Sequence, residues 1–455
     1  MPQTAQPAQL SIRGKKMNKI KTFIKGGIHP NKYKISSDVA ISDAGIPEFV
    51  TIPVRQHIGA PAKILVEKGA KVKVGTLIAD ADGVVSADVH SSVSGEVTKI
   101  EDTEAGSGYY EKMITIKVEG DDWEETIDRS PDVVREITAS PEEIIETLKQ
   151  SGIVGMGGAG FPTPIKVDVP EGKKVDTLII NGIECEPYLT ADDRLMQECA
   201  EQIVIGAKIL NKALGIQNAI IAIDENKPLA IEAIQKYTRS YVGVNVQVCA
   251  TKYPQGAEKQ LIAAVTGREV PPGCLPIDVH CVVQNAGTVF AVYEAVQKHK
   301  PLFERVVTVS GDAVENPANF KTRIGTPASY IIAKTSPKDD IAKIILGGPM
   351  MGTAAINKDA PVTKTTSGVL LLSSKSVFEP VVTPCIRCAT CVEVCPQGLE
   401  PFAITLHVRN AQYQEAKRIH VLDCIECGCC SYSCPARIPL LDYCKLAKYE
   451  IRKKK

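Results

Sequence analysis

Two cysteine runs near the C-terminal end constrain this chain more than anything else in it. Cys385-x2-Cys388-x2-Cys391-x3-Cys395-Pro396 is followed by Cys424-x2-Cys427-x2-Cys430-x3-Cys434-Pro435. Three thiols at this spacing wrap a cube corner by corner, because a short turn aims successive thiolates at adjacent irons. The fourth, set before a proline, characteristically reaches the other cube. The spacing predicts two [4Fe–4S] clusters, one on Cys385, Cys388, Cys391 and Cys434, the other on Cys424, Cys427, Cys430 and Cys395. A single zinc site would leave a duplicated, proline-flanked set unexplained. Cys429 breaks the spacing and is read as a non-ligand. Cys185, Cys199, Cys249, Cys274, Cys281 and Cys444 have no ligand spacing and are expected mostly as small buried hydrophobes. Clusters hold and pass single electrons, so another part of the chain should explain where electrons enter or leave.

Composition narrows the partners. Lys+Arg and Asp+Glu both number 53, so the formal net charge is zero, which weakens any nucleic-acid reading. Hydrophobic residues at 44% supply a packed core, and 455 residues at roughly 150 per domain suggest about three domains or more. No apolar run approaches the roughly 18 residues that would span a membrane. The opening MPQTAQPAQLSIRGKK has no continuous apolar stretch, so no secretory signal is expected. Fifteen cysteines without such a signal point to a reducing compartment and to metal ligation in preference to disulfides.

Along the chain the character changes several times. Residues 1–29 are polar and basic (Arg13, Lys15, Lys16, Lys19, Lys21, Lys25) and read as a solvated tail, with an acidic partner or an anionic membrane surface as the sharper option. Residues 30–125 alternate with period two between Gly and Asp turns, an all-β signal. Their pattern resembles the flattened barrel of biotinyl and lipoyl carrier domains. The turn Asp80-Ala81-Asp82-Gly83 lacks the carrier lysine, so a structural or docking module is expected. Residues 135–300 read as α/β. A capping box with proline at the first helical position (Ser140-Pro141-Glu142-Glu143) opens a helix, and the buried strands Val175–Ile180 and Ala219–Ile223 alternate with helices near 200–214 and 227–238, favouring a largely parallel sheet. Residues 301–365 return to short strands, 376–445 carry the cysteines around one long helical stretch from Pro401 to Val421, and 446–455 form a basic tail.

Between the capped helix and the first strand lies Gly152-Ile-Val-Gly155-Met-Gly157-Gly158-Ala159-Gly160-Phe161-Pro162, with a G-x-G-x-x-G match from Gly155 to Gly160. The match alone is weak, and its context is not that of a Rossmann loop, which follows a strand and opens a helix. Here a helix precedes the loop, and Pro162 and Pro164 are expected to block a helix after it. Such glycines let a flat or charged ligand approach the backbone, whose N–H groups can cradle a phosphate.

The run from Gly155 to Lys166 resembles the loop of the flavin- and NADH-binding subunit of respiratory complex I. So do Asn181-Gly-Ile-Glu184-Cys-Glu186-Pro187 leading to Asp193-Arg194, Tyr253-Pro-Gln-Gly256-Ala-Glu258, and Gln284-Asn285 with Thr288. With the flanking β modules and the double cysteine run, the chain after about residue 25 resembles the RnfC family of the Rnf electron-transport complex. The resemblance implies a multidomain α/β architecture: a barrel-sandwich-hybrid β module, a complex-I-like FMN/NADH domain, a small β-grasp (soluble ligand-binding) module and a helical double-[4Fe–4S] ferredoxin domain. It implies FMN, two [4Fe–4S] clusters and NAD(H) as substrate. The implied partners are the other membrane subunits of the Rnf complex and a ferredoxin-linked subunit, with no nucleic acid, and the implied location is peripheral, on the cytoplasmic side of the cell membrane.

Residue by residue, the resemblance implies that Gly155, Gly157 and Gly158 admit the flavin and Lys166 bonds it or charges its surroundings. Asn181 would bond the ring, and Phe161 would stack on adenine. Glu184 and Glu186 would sit in the nucleotide loop, Glu186 near the nicotinamide. Tyr253 and Gly256 would line the site, and Glu258 would accept from a ribose hydroxyl. Gln284, Asn285 and Thr288 would hold the flavin phosphate. Glu186 and Lys166 are the candidates for a catalytic part. The sequence departs from the complex I pattern at Met156 (arginine there), Ile183 (aspartate) and Ala257 (glutamate). The rival readings are a flavin and iron–sulfur cobalamin reductase, and a non-flavin electron-relay scaffold of a quinone-reducing complex. No Ser–His–Asp set, Walker loop or H-E-x-x-H motif competes.

Overall fold

The computed structural model describes residues 19–106, 108–377 and 381–453. Arg13, Lys15, Lys16, Lys454 and Lys455 lie outside the described residues.

After β1 (Ile41–Asp43), the first module is built from β2 (Phe49–Pro53), β3 (Lys63–Ile64), β4 (Lys71–Val72), β5 (Leu77–Asp80), β6 (Val89–His90), β7 (Gly95–Glu104) and β8 (Tyr110–Val118). These make a four-stranded antiparallel sheet in the order β2-β8-β7-β4 and a three-stranded one, β3-β5-β6. Period-two alternation drives the packing: Ile114 and Ile116 are fully buried while Lys117 faces solvent. The turn after β5 is closed by Asp88, which accepts from Ala81 N at 2.8 Å, and by Ser86, which accepts from Asp82 N at 3.0 Å.

The central module contains α1 (Pro141–Gln150), α2 (Thr163–Val167), β9 (Thr177–Gly182), α3 (Ala191–Glu198), α4 (Ala200–Ala213), β10 (Ala219–Asp224), α5 (Pro228–Thr238), β11 (Val244–Cys249), α6 (Glu258–Thr266), β12 (Cys281–Asn285) and α7 (Ala286–Lys298). The capping box of α1 forms as its sequence requires, Ser140 and Glu143 bonding each other's backbone N–H. Contrary to expectation, α2 does follow the glycine loop. Pro162 is its N-cap and Pro164 lies in its first turn, where a missing N–H costs nothing. The sheet is all-parallel in the order β11-β10-β9-β12. The chain therefore starts in the middle at β9, winds one way to β11, then reverses to place β12 on the other side. Ligands in open α/β sheets bind at the carboxyl ends of the strands where the winding reverses, here between β9 and β12.

The third module holds β13 (Glu304–Ser310), β14 (Ala318–Arg323), α8 (Ala328–Ile332), β15 (Lys343–Leu346), β16 (Thr353–Ala354) and β17 (Gly368–Leu372). Its mixed sheet runs β1-β14-β13-β17-β15-β16. It thus draws β1 from the segment expected to be barrel, and β17 from beyond residue 365.

The cysteine module comprises α9 (Thr390–Glu393), α10 (Pro401–Arg409), α11 (Tyr413–Arg418), α12 (Cys429–Ser433) and α13 (Leu440–Lys453). The connector expected as one long helical stretch is broken at Asn410–Gln412, with Ala411 at φ +54°. Nor do residues 446–453 form a tail. They continue α13, because Cys444, Ala447 and Ile451 keep its apolar face in the core with Ile404 and Val408. No helix among the described residues is long and apolar enough to cross a membrane.

The described part of the basic N-terminal segment is not a solvated tail either. Lys21 adds to the sheet edge beside β11, donating to Val248 O at 3.1 Å and accepting from Ala250 N at 2.9 Å. Phe23 and Ile28 are buried. Gly26, at φ +66°, lies so close to the Cys395–Pro396 backbone that a Cβ would stand 2.5 Å from the Cys395 carbonyl.

Candidate nucleotide and cluster site

The reversal point between β9 and β12 gathers the sequence candidates. Asn181 and Asn285 are register partners at the carboxyl ends of the two strands. Asn181 Nδ2 donates to Gly256 O at 2.8 Å, and its Oδ1 accepts from Ile183 N at 3.2 Å. Asn285 caps α7, accepting from Thr288 N at 3.2 Å, while its Nδ2 donates to Asp192 at 2.6 Å. Thr288 Oγ1 accepts from Met156 N at 2.8 Å. Asn285 and Thr288 are therefore engaged in holding the glycine loop, whereas Gln284 is buried with its Nε2 unpartnered.

The loop tip at Gly157, Gly158 and Ala159 is exposed. A Cβ on Gly157 would meet the Asn285 side chain at 3.0 Å, so glycine is needed for this approach. The loop root is fastened from outside its own module. Gly155 N donates to Phe161 O at 2.9 Å. Buried Lys364 donates to Gly152 O at 2.7 Å and to Asp88 O at 2.6 Å, and Arg305 Nη1 donates to Met156 O at 3.3 Å and to Lys364 O at 2.5 Å. Burial lowers the Lys364 ammonium to about 7 and the Arg305 guanidinium to about 10. Phe161 is half-buried.

Lys166 and Glu258 come together. Lys166 Nζ lies 2.7 Å from Glu258 Oε1 and 3.2 Å from Val283 O, and both side chains are partly solvent-exposed. The acidic loop is turned differently. Glu184 accepts from Asp192 N at 2.8 Å and Asp193 N at 3.2 Å, at the start of α3. Glu186 accepts from Met350 N at 3.0 Å and Met351 N at 2.9 Å, so the third module caps it. Burial pushes the Glu186 carboxyl up to about 7, against those two backbone donors, and the neighbouring Cys185 thiol up to about 12.

Tyr253 is buried, and its hydroxyl donates to Cys427 O at 2.8 Å. It packs in one apolar cluster with Cys427, Cys429, Cys185 and Met350, so the nucleotide loop and the second cysteine run are in direct contact. Cys395, Cys424, Cys427 and Cys430 line a single cavity with Cys429 and Cys444. Among the described residues no three Cys, His, Asp or Glu side chains converge as ligands of a single ion would. The two extra thiols behave as donors. A hydrogen bond from Cys444 holds Cys424 down to about 7, and one from Cys429 lowers Cys427, while Cys429 and Cys444 are themselves driven far up. A thiolate-favouring environment is what a cluster ligand needs. On the other side Cys391 and Cys434 share an apolar cluster, and burial followed by the charges of Cys434 and Cys388 raises Cys391. Cys385 and Cys388 are exposed, and Thr390 Oγ1 bonds Cys388 Sγ at 3.4 Å.

Sequence reasoning missed Lys34, Lys227, Asp192, Arg305, Lys364 and the Met350–Met351 backbone. Each is remote in sequence from the motif it serves, and an isolated lysine or arginine carries no spacing signal.

Three family models match the chain: the RnfC barrel sandwich hybrid domain over residues 22–121, the Nuo51 FMN-binding domain over 148–294 and the 4Fe-4S dicluster domain over 381–435. The chain is 45% identical over 439 residues to the RnfC-type protein of the proton-translocating ferredoxin:NAD(+) oxidoreductase complex of Clostridium ljungdahlii, covering 95% of this chain and 94% of that one. It is 41% identical over 430 residues to its counterpart in the Na(+)-translocating ferredoxin:NAD(+) oxidoreductase complex of Acetobacterium woodii, with coverage of 94% and 96%. Among solved structures, the NAD+-reducing [NiFe]-hydrogenase in its H2-reduced state shares the fold at a TM-score of 0.50 and 18% identity, over 65% of this chain and 60% of that one.

Proposed function

The chain belongs to the RnfC family of the ferredoxin:NAD+ oxidoreductase complexes, and from that premise we propose how its own residues carry electrons between NAD(H) and the rest of such a complex. It is an electron-transfer component of an ion-translocating complex, an oxidoreductase using FMN and [4Fe–4S] clusters, with NAD(H) as substrate. FMN, when bound, takes up a hydride as an electron pair and yields the electrons singly, and each cluster carries one of them.

The donor set fits these groups. The exposed Gly157–Gly158 backbone and the unpartnered Gln284 Nε2 face chemistry that a flat, phosphorylated ring system needs. Lys166, held by Glu258, supplies a cation at the strand ends, and Asn181 fixes Gly256 opposite the loop. Glu184 and Glu186 stiffen the nucleotide loop through the N–H groups they accept. Cys424, Cys427, Cys430 and Cys395 hold the cluster beside the nucleotide module, and Cys385, Cys388, Cys391 and Cys434 hold the one at the surface. The mixed sheet after residue 303 is read as a β-grasp-like module, and attachment to the cytoplasmic side of a membrane runs through partner subunits, a ferredoxin-linked one among them.

The observation that carries this reading is the contact of Tyr253 with Cys427, which joins a dinucleotide-type reversal point to a four-thiol cavity. Anaerobic NADH titration of the purified, cofactor-loaded chain tests it. Flavin and iron–sulfur absorption should bleach together. Clusters without bound flavin, unresponsive to NADH, would leave only a relay scaffold.

A further inference from the structure

The acidic loop that follows β9 is held by an element from the far side of the barrel. Lys34 Nζ donates to Glu184 O at 2.8 Å, to Glu186 O at 2.9 Å and to Leu189 O at 2.5 Å. All three ammonium hydrogens are used, and all three acceptors are carbonyls of one short loop. Such a centre gathers a chain segment much as a bound cation would. Lys227 works from the opposite side, its buried Nζ donating to Ile183 O at 2.9 Å and to Asn226 Oδ1 at 3.0 Å.

Neighbouring contacts tie the same strap to the same loop. Tyr33 stacks on Tyr188 with centroids 4.8 Å apart and planes 14° apart, Tyr188 N donates to Lys32 O at 3.0 Å, and the Ser36 and Thr190 hydroxyls meet at 2.6 Å. The loop needs this restraint. Glu184 sits at φ +46° and Tyr188 at φ +68°, a region that costs an L-residue about 1–2 kcal/mol each and persists only where surroundings impose it.

We propose that Lys34 is a positioning residue for pyridine-nucleotide binding: its ammonium, with the strap 32–36, fixes the backbone of residues 183–189 so that the nucleotide loop is preformed. Lys34 acts through that backbone and has no role in flavin or cluster retention. This rests on the reading of residues 181–187 as the nucleotide loop, and the experiment separates the two.

The full chain, loaded with FMN and both clusters, is mixed anaerobically with increasing NADH and flavin bleaching is followed. A wild-type chain that never bleaches would defeat the nucleotide reading itself. With wild type active, Lys34→Met should raise the half-saturating NADH concentration about tenfold or more, at unchanged flavin and iron content and a maximal rate within about twofold. Tyr33→Ala, which removes a half-exposed ring without touching the core, should raise it severalfold, and it decides the matter if Lys34→Met cannot be isolated loaded. Unchanged half-saturation in these variants, or a loss confined to the maximal rate or to flavin content, overturns the proposal.

Discussion

The hydroxyl of Tyr253 donates to the backbone carbonyl of Cys427 at 2.8 Å. The first residue lies in a nucleotide-binding motif and the second in a cluster-binding run, so one hydrogen bond spans two chemistries. Removing it leaves a buried carbonyl without its donor, which costs about 1–3 kcal/mol. Tyr253→Phe should therefore lower the unfolding free energy by that order in denaturant titration. It should also slow cluster reduction by NADH more than it slows flavin reduction, in stopped-flow absorbance at two wavelengths.

Glu186 makes stability depend on pH. Its carboxyl titrates near 7 when folded, against about 4.5 when the chain is unfolded. The folded state then binds the proton more tightly between those values. The contribution is complete on the acid side and is lost as pH rises through about 7. Lys364, depressed to about 7 by burial, works in the opposite sense, so the comparison must be between variants. The melting temperature of Glu186→Gln minus that of wild type should rise from about pH 5 to about pH 8 in parallel thermal scans.

Gly157 is placed against Asn285, and a methyl group there would stand 3.0 Å from the Asn285 Cβ. Either the loop tip or the α7 cap must move. Gly157→Ala should purify with less than about half the wild-type flavin per chain and with full iron content, measured by released-flavin fluorescence and iron assay on one preparation.

The cysteine runs predict unequal consequences of neighbouring substitutions. Cys424→Ser should cut iron from about eight to about four atoms per chain. Cys429→Ser should retain the iron and shift the cluster potential, because Cys429 bonds Cys427 without being read as a ligand. Iron analysis with redox-titrated electron paramagnetic resonance distinguishes them.

Legibility followed locality. The capping box at Ser140, the strands Thr177–Gly182 and Ala219–Asp224, and the cysteine spacing are all written within a few consecutive residues, and each could be read directly. The short helix after Pro162 was hidden because proline disfavours helix interiors yet suits a first turn. The apolar face of the last helix was obscured by the lysines between Cys444, Ala447 and Ile451. In the site, Asn181, Asn285, Lys166 and Glu258 could be placed by resemblance, whereas Lys34 could not. Among Asn31, Lys32 and Tyr33 it reads as one more surface lysine, and only the tertiary fold brings three carbonyls to its ammonium.

The three residues of β1 pair in parallel with Asn319–Lys321 of β14. During translation the early edge strand must wait until most of the polypeptide has left the ribosome before it finds its neighbour. Loop closure over that span is slow, and an unpaired edge is sticky in the interval. The barrel can form as it emerges, but the join between it and the later sheet is a late event of biogenesis, sealed only when the middle of the protein is complete.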